Sequence, residues 1–140
     1  MATLPSPPAS ATSASVWTGR VLTALFALFM LGASIAPKLL GMAVAAETIE
    51  PLGWSADYVL MIGLFELTFV LLYLYPRTAV LGAVLMTALL GGAMATHIRV
   101  GSPLFSHTLF GIYLAFFMWG GLWLRLPALR SVFPLDTRKD

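Results

Sequence analysis

The chain contains no cysteine and very little charge. The absence of cysteine among 140 residues excludes a disulfide scaffold, a CxxC redox motif, a thiolate nucleophile and a cysteine-ligated metal or cluster. Charged residues make up 10% of the chain, against about 25% in soluble domains. The pI of 9.3 looks basic, but eight Lys/Arg dispersed along the sequence form no phosphate-binding stripe, which excludes a nucleic-acid partner. A Gly-rich phosphate loop, a GxSxG elbow and an HExxH pair are also missing. Apolar residues are abundant instead: 59% of the chain is hydrophobic, and 12 glycines come on top of that. With a mean hydropathy of +0.90, this is neither an ordinary soluble domain nor a disordered chain. The length allows one domain.

A helical membrane span needs about 20 mostly apolar residues. Four runs qualify: Val21 to Pro37, Tyr58 to Pro76 (interrupted only by Glu66), Thr78 to Ile98, and Val100 to Leu124. The runs are continuous rather than alternating, which argues for helices over strands. The fold expected is therefore all-α: an integral membrane four-helix bundle occupying residues 17–126. Tyr75-Pro76-Arg77-Thr78 reads as a tight turn that makes spans two and three antiparallel neighbours. Gly101-Ser102-Pro103 separates spans three and four. The longer first connection contains an Ala/Leu/Val/Met-rich stretch, Leu39 to Ile49, read as a short interfacial helix stopped by Pro51. Trp54 and Tyr58 then anchor span two at headgroup level.

Residues 1–16 are read as a disordered Ala/Ser/Thr/Pro tail and 127–140 as a cytoplasmic tail. A secretory signal ending at Ala33-Ser34-Ile35-Ala36 is the competing reading of the start, weakened by the proline that would follow the cut. With four spans, both termini share a side with the 76–78 turn. That side holds Arg20, Arg77, Arg125, Arg130, Arg138 and Lys139; the other holds Lys38 and Arg99. The excess of positive charge puts both termini in the cytoplasm, and the expected setting is a bacterial inner membrane.

Glu66 carries the most information. An acid at mid-span costs on the order of 2.5–3.5 kcal/mol on insertion scales, so it turns inward and finds a partner or takes up a proton. Its helical neighbours include Ile62, Gly63, Val70 and Tyr73, and Gly63 would admit another helix close beside the acid. Lys38, His97 and Tyr73 are the candidate polar partners. The reading stays divided between a ligand-binding or proton-carrying acid and a structural one. A polar ring of Lys38, Thr96, His97, Arg99 and His107 closes the outer ends of the spans. Counted along the helices, both histidines fall at similar depth. They match no metal-ligand spacing and are read as hydrogen-bonding residues, with no metal assigned. Lys38 and Arg99 are read as snorkelling cations. Small residues at helical spacing (Ala88, Gly91, Gly92, Ala95, Gly111 and Ala115) are read as packing within the bundle, with a homo-oligomer interface as the alternative. The aromatics of span four, among them Phe110, Tyr113 and Phe117, line either a flat apolar pocket or the lipid boundary.

Taken in order, several of these residues resemble a known pattern. Lys38-Leu39 ends span one, and Glu50-Pro51-Leu52-Gly53-Trp54 ends the connection. Ile62-Gly63-Leu64-Phe65-Glu66-Leu67 follows within span two, then Tyr75-Pro76-Arg77-Thr78, then Ala95-Thr96-His97. The run over about residues 20–126 resembles the DoxX-like family of small four-helix membrane proteins. The resemblance implies a redox-associated membrane subunit or a binder of quinone or another apolar ligand, since relatives include membrane subunits of quinone-linked oxidoreductases. A quinone cofactor and a redox partner protein come with that implication. A eukaryotic relative that assists channel-receptor assembly implies the alternative, a membrane chaperone without catalytic activity. The fold is also similar to the four-helix bundle that recycles vitamin K through cysteines, chemistry that this cysteine-free chain does not inherit. Glu66, Lys38 and His97 fall on motif positions and are, with Tyr73, the ligand-binding candidates; no catalytic residue is assigned.

Overall fold

The computed structural model describes residues 11–132, and every regular element among them is helical. Four stretches are long and apolar enough to cross a membrane: Ala14–Leu39, Ala56–Leu74, Ala79–Arg99 and Leu104–Arg125. They fall on the four apolar runs of the sequence, and the protein is an integral membrane helical bundle. The first span joins α1 (Ala11–Phe29) to α2 (Ala36–Leu39) through a π-helical turn, Met30–Ile35. Pro37 explains that turn. It has no N–H, and its ring crowds the carbonyl four residues back. The widened turn, in which the Ala36 N–H donates to the Leu31 carbonyl, absorbs the conflict without ending the span.

A short α3 (Ala43–Ile49) follows, then α4 (Val59–Leu74) and α5 (Ala79–Arg99). A second π-helical turn, Leu104–Thr108, leads into α6 (Phe110–Arg125) and a terminal α7 (Pro127–Val132). α1 packs chiefly on α6, α4 on α5, α5 on α6, and the π-helical turn with α2 on α4. Consecutive spans are thus antiparallel neighbours around a closed ring. The Tyr75–Thr78 turn is locked by the Thr78 N–H donating to the Tyr75 carbonyl at 3.0 Å and the Thr78 hydroxyl donating to the Leu72 carbonyl at 2.8 Å.

Three boundaries differ from the sequence reading. Of the tail expected over 1–16, residues 11–16 are helical, and 1–10 lie outside the described residues. The helix is extended by docking: the Ser15 hydroxyl donates to the Leu124 carbonyl at 3.1 Å and accepts from Arg130 at 2.8 Å. The tail expected over 127–140 begins with α7, and 133–140 lie outside the described residues. The connecting helix starts at Ala43 rather than Leu39, because Gly41 takes a left-handed φ of 64° and ends the first span there. That helix buries Ala45 and Ile49, one turn apart, against Val59 and Ile62 at the start of α4.

The core lies in the half of the bundle that carries the described chain ends. Phe26, Val70, Tyr73, Met86, Met118 and Leu122 are almost fully enclosed there. Tyr73 ties three spans together: its hydroxyl donates to the Met118 carbonyl at 2.9 Å, hydrogen-bonds the Thr23 hydroxyl at 3.2 Å, and its ring meets Phe26 edge-on. Leu28, Leu60, Leu81 and Phe116 face outward and exposed, as lipid-facing side chains of a span must. The small-residue stripe marks a close helix seam at Gly111, which lies against Leu90, but not along span three. Gly91 and Gly92 have open space beside them, whereas Gly82 lies against the Tyr73 backbone and Gly19 against the Gly121 carbonyl. Spacing shows that a face is small; only the neighbours show whether anything is pressed against it.

Candidate functional site

The half of the bundle opposite the core is organised around Glu66. The residue lies midway along α4 and is buried, at 8% exposure. Its carboxylate accepts from Lys38 Nζ at 3.0 and 3.1 Å and from the Ser34 hydroxyl at 3.0 and 3.1 Å. Lys38 Nζ also donates to Ser34 Oγ at 2.6 Å and to the Ser34 carbonyl at 3.2 Å. The three residues form a closed polar unit joining the first span to the second. Gly63 makes the approach fit: a Cβ there would sit 2.8 Å from the Lys38 Cβ. The inward orientation expected of the acid is therefore found, and a cation reaching in from the end of a neighbouring helix meets it.

The reading of Lys38 as a snorkelling cation is overturned. Its aliphatic stem packs beside Gly63, which turns the ammonium toward Glu66, where the carboxylate offsets the desolvation of both charges. Arg99, the other cation at that end, donates to the Leu52 carbonyl and packs against Gly53, whose φ of 81° is left-handed. It fastens the connection between α3 and α4. Tyr73 does not belong to the site. It shares a helix face with Glu66, but seven residues put it about 10 Å along the axis, inside the core described above.

His97 lies near the site without bonding to the acid. Its Nδ1 pairs with Ser102 Oγ at 2.9 Å, while His107 Nδ1 pairs with Ser106 Oγ at 2.8 Å. The two imidazoles meet edge-on with centroids 5.8 Å apart, so the similar depth inferred from the sequence is real. Among the described residues, no group of three or more His, Asp or Glu is placed to hold a metal.

Sequence reasoning missed Ser34. It stands four residues before Lys38, a spacing that puts the two on one helix face, and that was the available signal. Its small-residue surroundings drew attention to a cleavage site instead.

The polar unit is flanked by open space on two sides. A cavity of about 420 Å³ lies between α3, α4 and α5, with Lys38 and Glu66 in its wall and Trp54, Tyr58, Phe65 and His97 around them. Ala88, Gly92 and Ala93 also line it: the small face of α5 makes room where larger side chains would have filled it. On the other side, a cavity of about 270 Å³ is lined by Ser34, Lys38, Glu66 and Phe110. It shares Phe29, Phe110 and Leu114 with an apolar groove of about 390 Å³ bordered by Phe26, Tyr113 and Phe117. The aromatics of span four thus divide: Phe110, Tyr113 and Phe117 line the groove, while Phe105 and Phe116 point outward.

The arrangement is a buried, internally neutralised acid between two cavities, the smaller of which is continuous with an apolar furrow. No curated protein matches the chain, and no solved structure does. A family model does match, over residues 21–121, which takes in most of each span and the whole polar unit. The chain belongs to the DoxX-like family.

Proposed function

We propose that this protein binds a flat amphiphile of the quinone type in the membrane, as a subunit serving a redox partner. The observation that carries the reading is the 420 Å³ cavity with a buried ion pair in its wall and aromatic side chains around it. Ligand sites are typically concave and largely apolar, with a few convergent polar groups that set orientation. Here Lys38 and Glu66 are those groups, held in place by Ser34 behind them, and His97 stands in the same cavity. The apolar wall of the same cavity, with Met61, Ile62 and Leu89, suits the start of an isoprenoid or alkyl tail. The alternative, an assembly factor acting through its outer faces, has no need of a cavity beside Glu66.

The test is chemical. Protein purified in detergent and extracted with organic solvent is expected to yield a quinone-type lipid in excess over a detergent blank. A Glu66→Leu variant should yield less. Extracts indistinguishable from the blank would remove the basis for a ligand-binding role.

A further inference from the structure

Resting on the ligand reading above, we infer that the ligand oxygen next to Glu66 is a hydroxyl: the site takes the hydroxylated, reduced form of an aromatic head group in preference to the carbonyl form. The inference comes from counting donors. An ammonium has three N–H groups. Those of Lys38 go to Ser34 Oγ, the Ser34 carbonyl and the Glu66 carboxylate. The single proton of the Ser34 hydroxyl goes to Glu66. Of the three other hydroxyls in the cavity wall, two are consumed locally: Thr48 donates to the Val44 carbonyl at 2.7 Å, and Thr96 to the Gly92 carbonyl at 2.9 Å. The Tyr58 hydroxyl and the Trp54 indole N–H, away from the polar unit, can donate to a carbonyl or a hydroxyl alike and do not discriminate.

The polar unit therefore has no spare donor for a ligand carbonyl. It does have spare acceptor capacity: a carboxylate offers about four lone-pair directions, and only two protons, one from Lys38 and one from Ser34, are shared across its two oxygens. A ketone oxygen placed there would face a carboxylate without a hydrogen bond; a hydroxyl would donate into it. A cationic amine is disfavoured, since Lys38 already neutralises the acid at 3.0 Å and would repel a second positive charge. The ring fits the aromatic lining of Tyr58, Trp54 and Phe65. His97 can donate or accept according to its tautomer and does not discriminate between the two forms.

The experiment uses the full chain in lipid nanodiscs under anaerobic conditions. Three probes with the same short alkyl chain are compared: a 1,4-benzoquinone, its hydroquinone, and the hydroquinone dimethyl ether, which cannot donate. Binding is read by quenching of tryptophan fluorescence, with calorimetry as a label-free check. The hydroquinone is expected to bind about tenfold or more tighter than either of the others, the effect of one hydrogen bond to a charged acceptor. Ser34→Ala releases one Lys38 N–H and should tighten quinone binding, narrowing the gap. Glu66→Gln, which brings an amide donor, should narrow it too; Ser34→Ala carries the test if that variant fails to fold. Equal or tighter binding of the quinone by the unaltered protein would overturn the hydroxyl preference while leaving the ligand reading intact. Binding of none of the three would overturn both.

Discussion

The Lys38–Glu66 pair shows how a charged residue is kept inside a membrane span. Side-chain exposure is 11% for each partner, so neither charge has much water to fall back on. Removing one partner leaves the other buried and unpaired, at a cost of about 3–5 kcal/mol. Lys38→Met is therefore expected to destabilise the protein by about that amount, measured by thermal unfolding in micelles. The double variant Lys38→Met/Glu66→Leu should recover most of the loss, because a matched apolar pair restores the balance. A double variant no more stable than Lys38→Met would show that the pair does more than neutralise itself. Gly63 offers a separate check. Gly63→Ala puts a methyl into the Lys38 stem and should cost about 1–3 kcal/mol by overpacking. Gly91→Ala, with open space beside it, should be close to neutral in the same assay.

Two connections are held by arginines, and each can be released on its own. Arg99 bonds the Leu52 carbonyl, across from a cavity that both Leu52 and Trp54 line. Arg99→Ala is expected to raise amide hydrogen exchange at residues 52–54 while leaving α4 and α5 protected, since α3 keeps its own contacts with Val59. At the opposite end, Arg130 donates to the Trp123 carbonyl at 2.9 Å and the Leu124 carbonyl at 2.6 Å, and its guanidinium lies over the Trp123 ring. These carbonyls belong to the last turn of α6, which has no further helical donors of its own. Arg130→Ala should accelerate proteolysis after α6 without altering ligand binding, because the cavities lie at the other end of the bundle.

The two cavities beside Glu66 and most of the core occupy opposite halves of the bundle, with the apolar groove along Phe26 and Phe117 reaching between them. Large side chains such as Met86, Met118 and Tyr73 fill the half near the described chain ends. The other half is held by one polar unit and left open on either side of it. Core packing and cavity shape can therefore vary separately. The division of positive charge gives a topology prediction that does not depend on ligand. Among the described residues, Arg20, Arg77, Arg125 and Arg130 stand at the end of the chain termini and Lys38 and Arg99 at the other, so both termini are expected in the cytoplasm. A reporter fused after Asp140 that is active only in the cytoplasm should be active; activity of an export-dependent reporter at the same position would reverse the assignment.

Much of this was legible in local properties of the chain. The spans are set by run length and hydropathy, the Tyr75–Thr78 reversal by Pro76, and the inward turn of Glu66 by the cost of an ionised group in hydrocarbon. Gly63 beside the acid was readable from helical spacing alone. Which group answers Glu66 was not. Lys38, His97 and Tyr73 were all plausible from the sequence, and the choice depends on how far each reaches across helix boundaries. The π-helical turn before Pro37 sets the direction of the first span's last turn, and with it the aim of Ser34 and Lys38. Ser102 holds His97 to its own loop, and the core holds Tyr73. The cavities are likewise a tertiary property. The larger one beside Glu66 arises where the small face of α5 stands across from Lys38 and Glu66 on α2 and α4, and a sequence does not say which faces will meet.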